Sequence, residues 1–137
     1  HAEQAGRVGG AGGCRRRGRR GADRLALELA RDNPWSAELF TAANLEQRTG
    51  DVAELVHDFA DGQFAHVIHD PPSFQLAGHL YSGAFYEQLL RITKKGGRVV
   101  HYIGDPQSPN GARTTRGVVE RMRTAGFARV QPNPAAF

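Results

Sequence analysis

The chain is poor in cysteine. Cys14 stands alone among 137 residues, which excludes an internal disulfide and any zinc site built on a cysteine cluster. Long apolar runs are missing too: no stretch approaches the roughly 18 residues that a membrane-crossing helix needs. The N-terminal stretch lacks the apolar middle that marks a secretory signal. These absences lead us to expect a cytoplasmic protein that keeps clear of the membrane. Surplus charge is confined to one place. The formal net charge is +4, and Arg15, Arg16, Arg17, Arg19 and Arg20 account for it; without these five the remainder is close to neutral. Large aliphatic residues are almost absent from residues 1–21, where Val8 stands among glycines at 6, 9, 10, 12, 13, 18 and 21. That segment reads as an unstructured, solvated arm, with contact to nucleic-acid phosphates as the alternative. No internal repeat is visible. The rest, residues 22–137, is long enough for one domain with a core. It begins and ends without clear element boundaries, so we expect a domain truncated at both ends.

What is present is organised around Phe64-Ala65-His66-Val67-Ile68-His69-Asp70-Pro71-Pro72-Ser73-Phe74. A short apolar run ends in an acid, two prolines and an aromatic. Each proline fixes φ and removes a donor, so neither extends a central ladder. The residue before each is pushed toward extended geometry. The run reads as a buried strand delivering the Asp70 carboxylate and the carbonyls around Pro71 and Pro72 to its carboxyl end, where ligands bind in open α/β sheets. A plain strand terminator is the other reading of the same residues.

The remaining pattern alternates helix and strand. Asp23 to Asp32 is helical, with Leu25, Leu29 and Ala30 on one face and Asn33-Pro34 as the stop. Trp35 beside the proline reads as a packing anchor, and a short helical turn is expected within 36–45. Val52, Leu55, Val56 and Phe59 form an inward stripe, with Asp51 and Glu54 as a capping box. After a loop from Gln75 to Tyr81, Ser82 caps a helix carrying Phe85, Leu89 and Ile92, with Gly96 as its left-handed end. Arg98 to Ile103 is a second strand, closed by Gly104-Asp105-Pro106. Two parallel strands ending in acid-proline loops on one edge would frame a cleft. Pro109-Asn110-Gly111 reads as a turn. Thr114 to Ala125 reads as a helix with Val118, Val119 and Met122 inward and its arginines, Arg121 included, mostly outward, and Phe127 to Val130 starts another strand. His66, His69, His79 and His101 fall near the strand ends, but His66 and His69 face opposite sides and no ligand spacing joins them, so no metal site is expected. The alternation predicts a doubly wound, mainly parallel α/β sheet.

Asp70-Pro71-Pro72-Ser73-Phe74 resembles the motif that closes the fourth strand of class I S-adenosylmethionine-dependent methyltransferases, many of which act on amino groups. The likeness continues downstream through Leu80-Tyr81-Ser82-Gly83-Ala84-Phe85-Tyr86 and Lys94-Lys95-Gly96-Gly97-Arg98-Val99-Val100. Upstream it runs through Leu27-Glu28-Leu29-Ala30-Arg31-Asp32-Asn33-Pro34-Trp35-Ser36 and Gly50-Asp51. The chain is similar to a predicted archaeal-type group of these enzymes and, more loosely, to the spermidine synthases, which share the fold.

The resemblance implies a Rossmann-like sheet, S-adenosyl-L-methionine as cofactor, and methyl transfer to an amino group of a nucleic-acid base or a small polar substrate. It assigns the catalytic loop to Asp70, Pro71, Pro72 and Phe74, with Asp70 and the Pro71 carbonyl holding the amino group. Cofactor binding falls to Asp51, Val52 and Asp70, with Asp51 at the adenine amino group. Substrate contact falls to Tyr81 and Asp105, and Phe74 or Tyr81 would stack a base. The chain departs from the family in two places. Ser73 stands between Pro72 and the aromatic, and the cofactor loop would fall in residues 1–21, where Arg7 to Gly13 offers glycines without a strand. The family's ribose-binding acid would fall near Gly21, and Asp23 lies two positions late. No cysteine lies near either loop, so methylation of a pyrimidine carbon is not expected. Aminopropyl transfer of the spermidine synthase kind is the alternative chemistry. A non-catalytic remnant or basic interaction module is the alternative of another class.

Overall fold

The computed structural model describes residues 22–104 and 108–133. Helix α1 (Ala22–Arg31) is followed by a 3-10 turn, Pro34–Ser36, and a short α2 (Ala37–Thr41). Helix α3 (Val52–Leu55) runs on into a second 3-10 turn, Val56–Asp58, before strand β1 (Phe64–His69). Helix α4 (Phe74–Ala77) and a third 3-10 turn, Gly78–Tyr81, lead into α5 (Gly83–Ile92). Strand β2 (Thr93–His101) and helix α6 (Pro109–Thr124) complete the order. The Gly/Arg-rich segment 1–21 and Asp105 lie outside the described residues.

The two strands lie side by side and parallel, joined through α5 in the β-helix-β connection that parallel pairing requires. The chain is therefore mixed α/β, with a sheet of two strands among the described residues. Local chemistry explains the elements. The Ser82 hydroxyl accepts from the Phe85 amide at 3.2 Å, satisfying an orphan donor at the start of α5. Phe85, Leu89 and Ile92 then turn to the core as their spacing predicts, with Tyr86 beside them. Ser108 caps α6 by accepting from the Gly111 amide at 3.0 Å. Pro109 follows in the first turn, where its missing N–H costs nothing. Residues 109–111, which read as a turn, are thus the first turn of the helix. Phe127 and Val130 pack against the core but form no strand among the described residues.

Strand β2 begins five residues earlier than the sequence suggested. Phe64 pairs with Thr93 and His66 with Arg98, so two steps on β1 meet five on β2, and the extra chain bulges out through 94–97. Gly96 takes φ +79° inside that bulge; it does not cap α5, which ends at Ile92 with Thr93 as its cap. Gly97 is where the chain closes back on β1. A Cβ there would sit 2.6 Å from the Ala65 carbonyl oxygen and 2.8 Å from that of Lys94, both fixed backbone atoms. Gly97→Ala is expected to cost about 1–3 kcal/mol through this overlap, read as a lower urea midpoint at unchanged slope.

The core gathers on one side of the strand pair. Val67 and His69 point inward with Tyr86, Leu89, Ile92, Val118 and Met122. Among the described residues the other side is left bare: Ile68 is 46% exposed and Val100, its partner in register, 59%. Leu29 and Trp35 also stand in solvent, at 63% and 94% exposure. This corrects the packing role expected for Trp35, and the face read for α1 has Leu29 in solvent. The reason is tertiary: α1 and α2 pack chiefly on each other and on the turn between them, so neither residue reaches the core.

Candidate functional site

Alternation along β1 sets the geometry. With Val67 and His69 inward, His66 and Ile68 face out, and the chain emerges at the strand's carboxyl end with Asp70 exposed and Pro71 buried behind it. The Tyr102 amide donates to the His69 carbonyl at 2.9 Å, so β2 ends beside β1 on the same edge. The loop after Asp70 is anchored at both ends. The Tyr81 hydroxyl donates to the Pro72 carbonyl at 3.0 Å. Ser73 starts α4, its carbonyl accepting from the amides of Leu76 and Ala77 at 2.8 and 3.0 Å. Phe74 remains about half exposed and meets Tyr81 edge to face, ring centroids 5.5 Å apart.

Beneath the loop lies a buried polar cluster. The His69 and His101 rings meet at a tilt of 58° with centroids 4.5 Å apart, and the Tyr81 ring sits 5.1 Å from that of His101. His69 Nε2 lies 3.0 Å from the Leu80 carbonyl, which can only accept, so that nitrogen carries the proton. His101 Nδ1 lies 3.1 Å from the Tyr102 carbonyl and is a donor by the same argument. His101 Nε2 is then left to accept from the Tyr86 hydroxyl at 3.1 Å. Both nitrogens of His101 and Nε2 of His69 are thereby bonded in the neutral form of each ring. Burial lowers the pKa of His69, partly offset by its bond to Leu80 and by the Asp70 charge. Burial, the neighbouring His69 and the Arg121 charge push that of His101 down to about 3. Burial raises the Tyr81 and Tyr86 phenols further above their ordinary value, that of Tyr81 with help from the Asp70 charge and that of Tyr86 against the pull of Arg121.

Arg121 is the residue that sequence reading misplaced. It turns inward from α6, Nε donating to the Tyr81 carbonyl at 2.7 Å, with its guanidinium carbon 5.9 Å from the Phe74 ring centroid. A signal was available: Gly117 stands one turn earlier in the middle of a helix, where glycine is disfavoured unless something fills its space.

The other expected site residues divide. Asp70, Pro71, Pro72 and Phe74 come together at the strand end, as their adjacency requires. Tyr81 joins them from below, buried to 2% exposure; its ring supports the loop, and the exposed aromatic surface belongs to Phe74. Asp51 caps α3, one carboxylate oxygen accepting from the Ala53 amide at 2.9 Å. Val52 beside it is in the core. Among the described residues no group of three or more histidine, cysteine or acidic side chains is placed to hold a metal ion. No helix among them is long and apolar enough to cross a membrane.

No family model matches the chain. Over 106 residues, 77% of its length, it is 46% identical to the uncharacterized protein MJ1233 of Methanocaldococcus jannaschii. The match spans 36% of that relative, so the chain corresponds to about a third of the curated protein it resembles.

Proposed function

We propose that this chain forms the acceptor-loop portion of a class I S-adenosylmethionine-dependent methyltransferase. Its Asp-Pro-Pro loop receives an amino group of a nucleic-acid base or a small polar molecule. The observation that carries this reading is the exposed Asp70 carboxylate on a braced loop at the carboxyl end of a parallel strand pair, the place where ligands bind in open α/β sheets. A doubly wound architecture also accounts for the bare face at Ile68 and Val100, since parallel sheets are covered on both sides when complete.

The residues at hand fit the cofactor at one point. Asp51 spends one carboxylate oxygen on its helix cap and keeps the other for an adenine amino group. Bound S-adenosylmethionine supplies a methyl group activated on a sulfonium sulfur. The chain's own task is alignment, worth about 7–11 kcal/mol of barrier when reacting atoms are held in line. Asp70 and the Pro71 carbonyl accept the acceptor's N–H bonds and so aim the nitrogen lone pair. Phe74 covers the acceptor's face. The proton released after transfer passes to solvent at the exposed Asp70, not to the neutral imidazoles below.

Calorimetric titration of the full chain with S-adenosylmethionine tests the reading. Saturable binding weakened about tenfold or more by Asp51→Ala is expected, the loss of one charge-assisted hydrogen bond. A folded sample giving no heat of binding would sink it.

A further inference from the structure

Gly117 and Arg121 occupy i and i+4 on α6, facing the loop side of the molecule. An added Cβ at Gly117 would lie 2.9 Å from Arg121 Nη1 and 3.2 Å from Nη2, so the guanidinium rests in the space that the glycine leaves. From there Arg121 grips two parts of the acceptor loop. Nε donates to the Tyr81 carbonyl, while Tyr81 in turn holds Pro72 through its hydroxyl. The guanidinium also stands over Phe74, where a cation is drawn to the ring face. Tyr81 lies forty residues away in sequence, so this is the means by which α6 sets the loop's position.

We propose that Gly117 and Arg121 act as a latch: α6 positions the Asp70–Phe74 loop through Arg121, and Gly117 is glycine to admit that side chain. Arg121 is a positioning residue, acting through Tyr81 and Phe74. That the latched loop serves acceptor binding rests on the methyltransferase reading; the latch itself does not.

The test turns on opposite signs. Gly117→Ala improves helix propensity, so if Gly117 and Arg121 were only parts of a helix the variant would melt higher and exchange its amide hydrogens more slowly throughout. The latch predicts a melting temperature held or raised, together with roughly tenfold faster exchange at the Leu76 and Ala77 amides, which bond to Ser73 in the loop's last turn. The Tyr102 amide, paired with His69 in the sheet, should not change. Arg121→Lys should loosen the same two amides, because an ammonium cannot both replace the Nε bond and lie flat over Phe74. Loop exchange at the parent rate in both variants would overturn the proposal. Titration of the parent with S-adenosylmethionine separates the two readings. Absence of binding removes the methyltransferase assignment and leaves the exchange result to decide the latch. Normal binding with an unaltered loop removes the latch alone.

Discussion

Arg91→Ala is expected to destabilise the fold by about 3 kcal/mol, read by urea unfolding. The side chain leaves the last turn of α5 and ties down the segment that precedes β1. Nη1 donates to the Phe59 carbonyl and to Asp61 Oδ1, each at 2.7 Å, and Nη2 to the Val56 carbonyl at 2.9 Å. Nε donates to Gln88 at 2.7 Å. The Arg91 carbonyl accepts from the Gly62 amide at 2.8 Å, so the same residue closes the turn with its backbone. Hydrogen bonds from a charged donor contribute about 1.5–3 kcal/mol each, and here two backbone carbonyls lose their partner together. The ion pair is the lesser part. Asp61 is 82% exposed at its side chain, and exposed pairs are worth about 0–1 kcal/mol. Asp61→Ala should therefore cost under about 0.5 kcal/mol. Arg91→Lys should recover less than about half of the alanine loss, since one ammonium cannot span both carbonyls in the planar fork. Equal losses for Asp61→Ala and Arg91→Ala would show that the charge pair, not the carbonyl clamp, carries the effect.

Acidification should destabilise the chain through the paired imidazoles of His69 and His101. A histidine in the unfolded chain titrates near 6.5, whereas His101 in the fold is pushed down to about 3. Between these values the unfolded state binds a proton that the folded state refuses. Stability is therefore fully present above about pH 6.5 and falls as the pH drops, by about 1.4 kcal/mol per unit for one such group. The loss flattens at about pH 3, after as much as roughly 5 kcal/mol. His69, also lowered, adds to the same slope. Protonating His101 would place a charge beside Arg121 and turn Nε2 from acceptor to donor against the Tyr86 hydroxyl. Unfolding free energies at pH 7, 5 and 4 measure the slope. His101→Phe should lower stability at pH 7, by removing the acceptor for the Tyr86 hydroxyl proton, yet make it less dependent on pH. An undiminished slope in that variant would assign the acid sensitivity to other groups.

How much of this was legible in the sequence depends on the range of the forces involved. β1 and its abrupt end, the Asp51 and Ser82 caps and the inward stripe of α5 rest on neighbours within a few residues, and each appears where its local chemistry places it. The bulge was not legible, because Gly97 answers to the Ala65 carbonyl on another strand. The inward turn of Arg121 was legible only in part: Gly117 one turn earlier marks a space to be filled, but only the carbonyl of Tyr81 decides which side chain turns into it. Leu29 and Trp35 failed in the opposite sense. Apolar residues on a helix and beside a proline predict burial, and burial needs a surface to meet. In the site, adjacency along the chain delivered Asp70 to Phe74 together. The pair His69–His101 emerged only from strand register, which sets two histidines 32 positions apart opposite one another.

The strand pair's bare side has a thermodynamic consequence. Ile68, Val100 and Tyr102 keep much of their hydration in the folded chain, so they add little to the heat-capacity change of unfolding, which comes instead from apolar surface on the helical side. Whatever layer comes to lie on that side, further polypeptide or another molecule, must strip this water. Its arrival would register as a negative heat-capacity change of association, measurable from the temperature slope of the binding enthalpy before the covering layer has been seen.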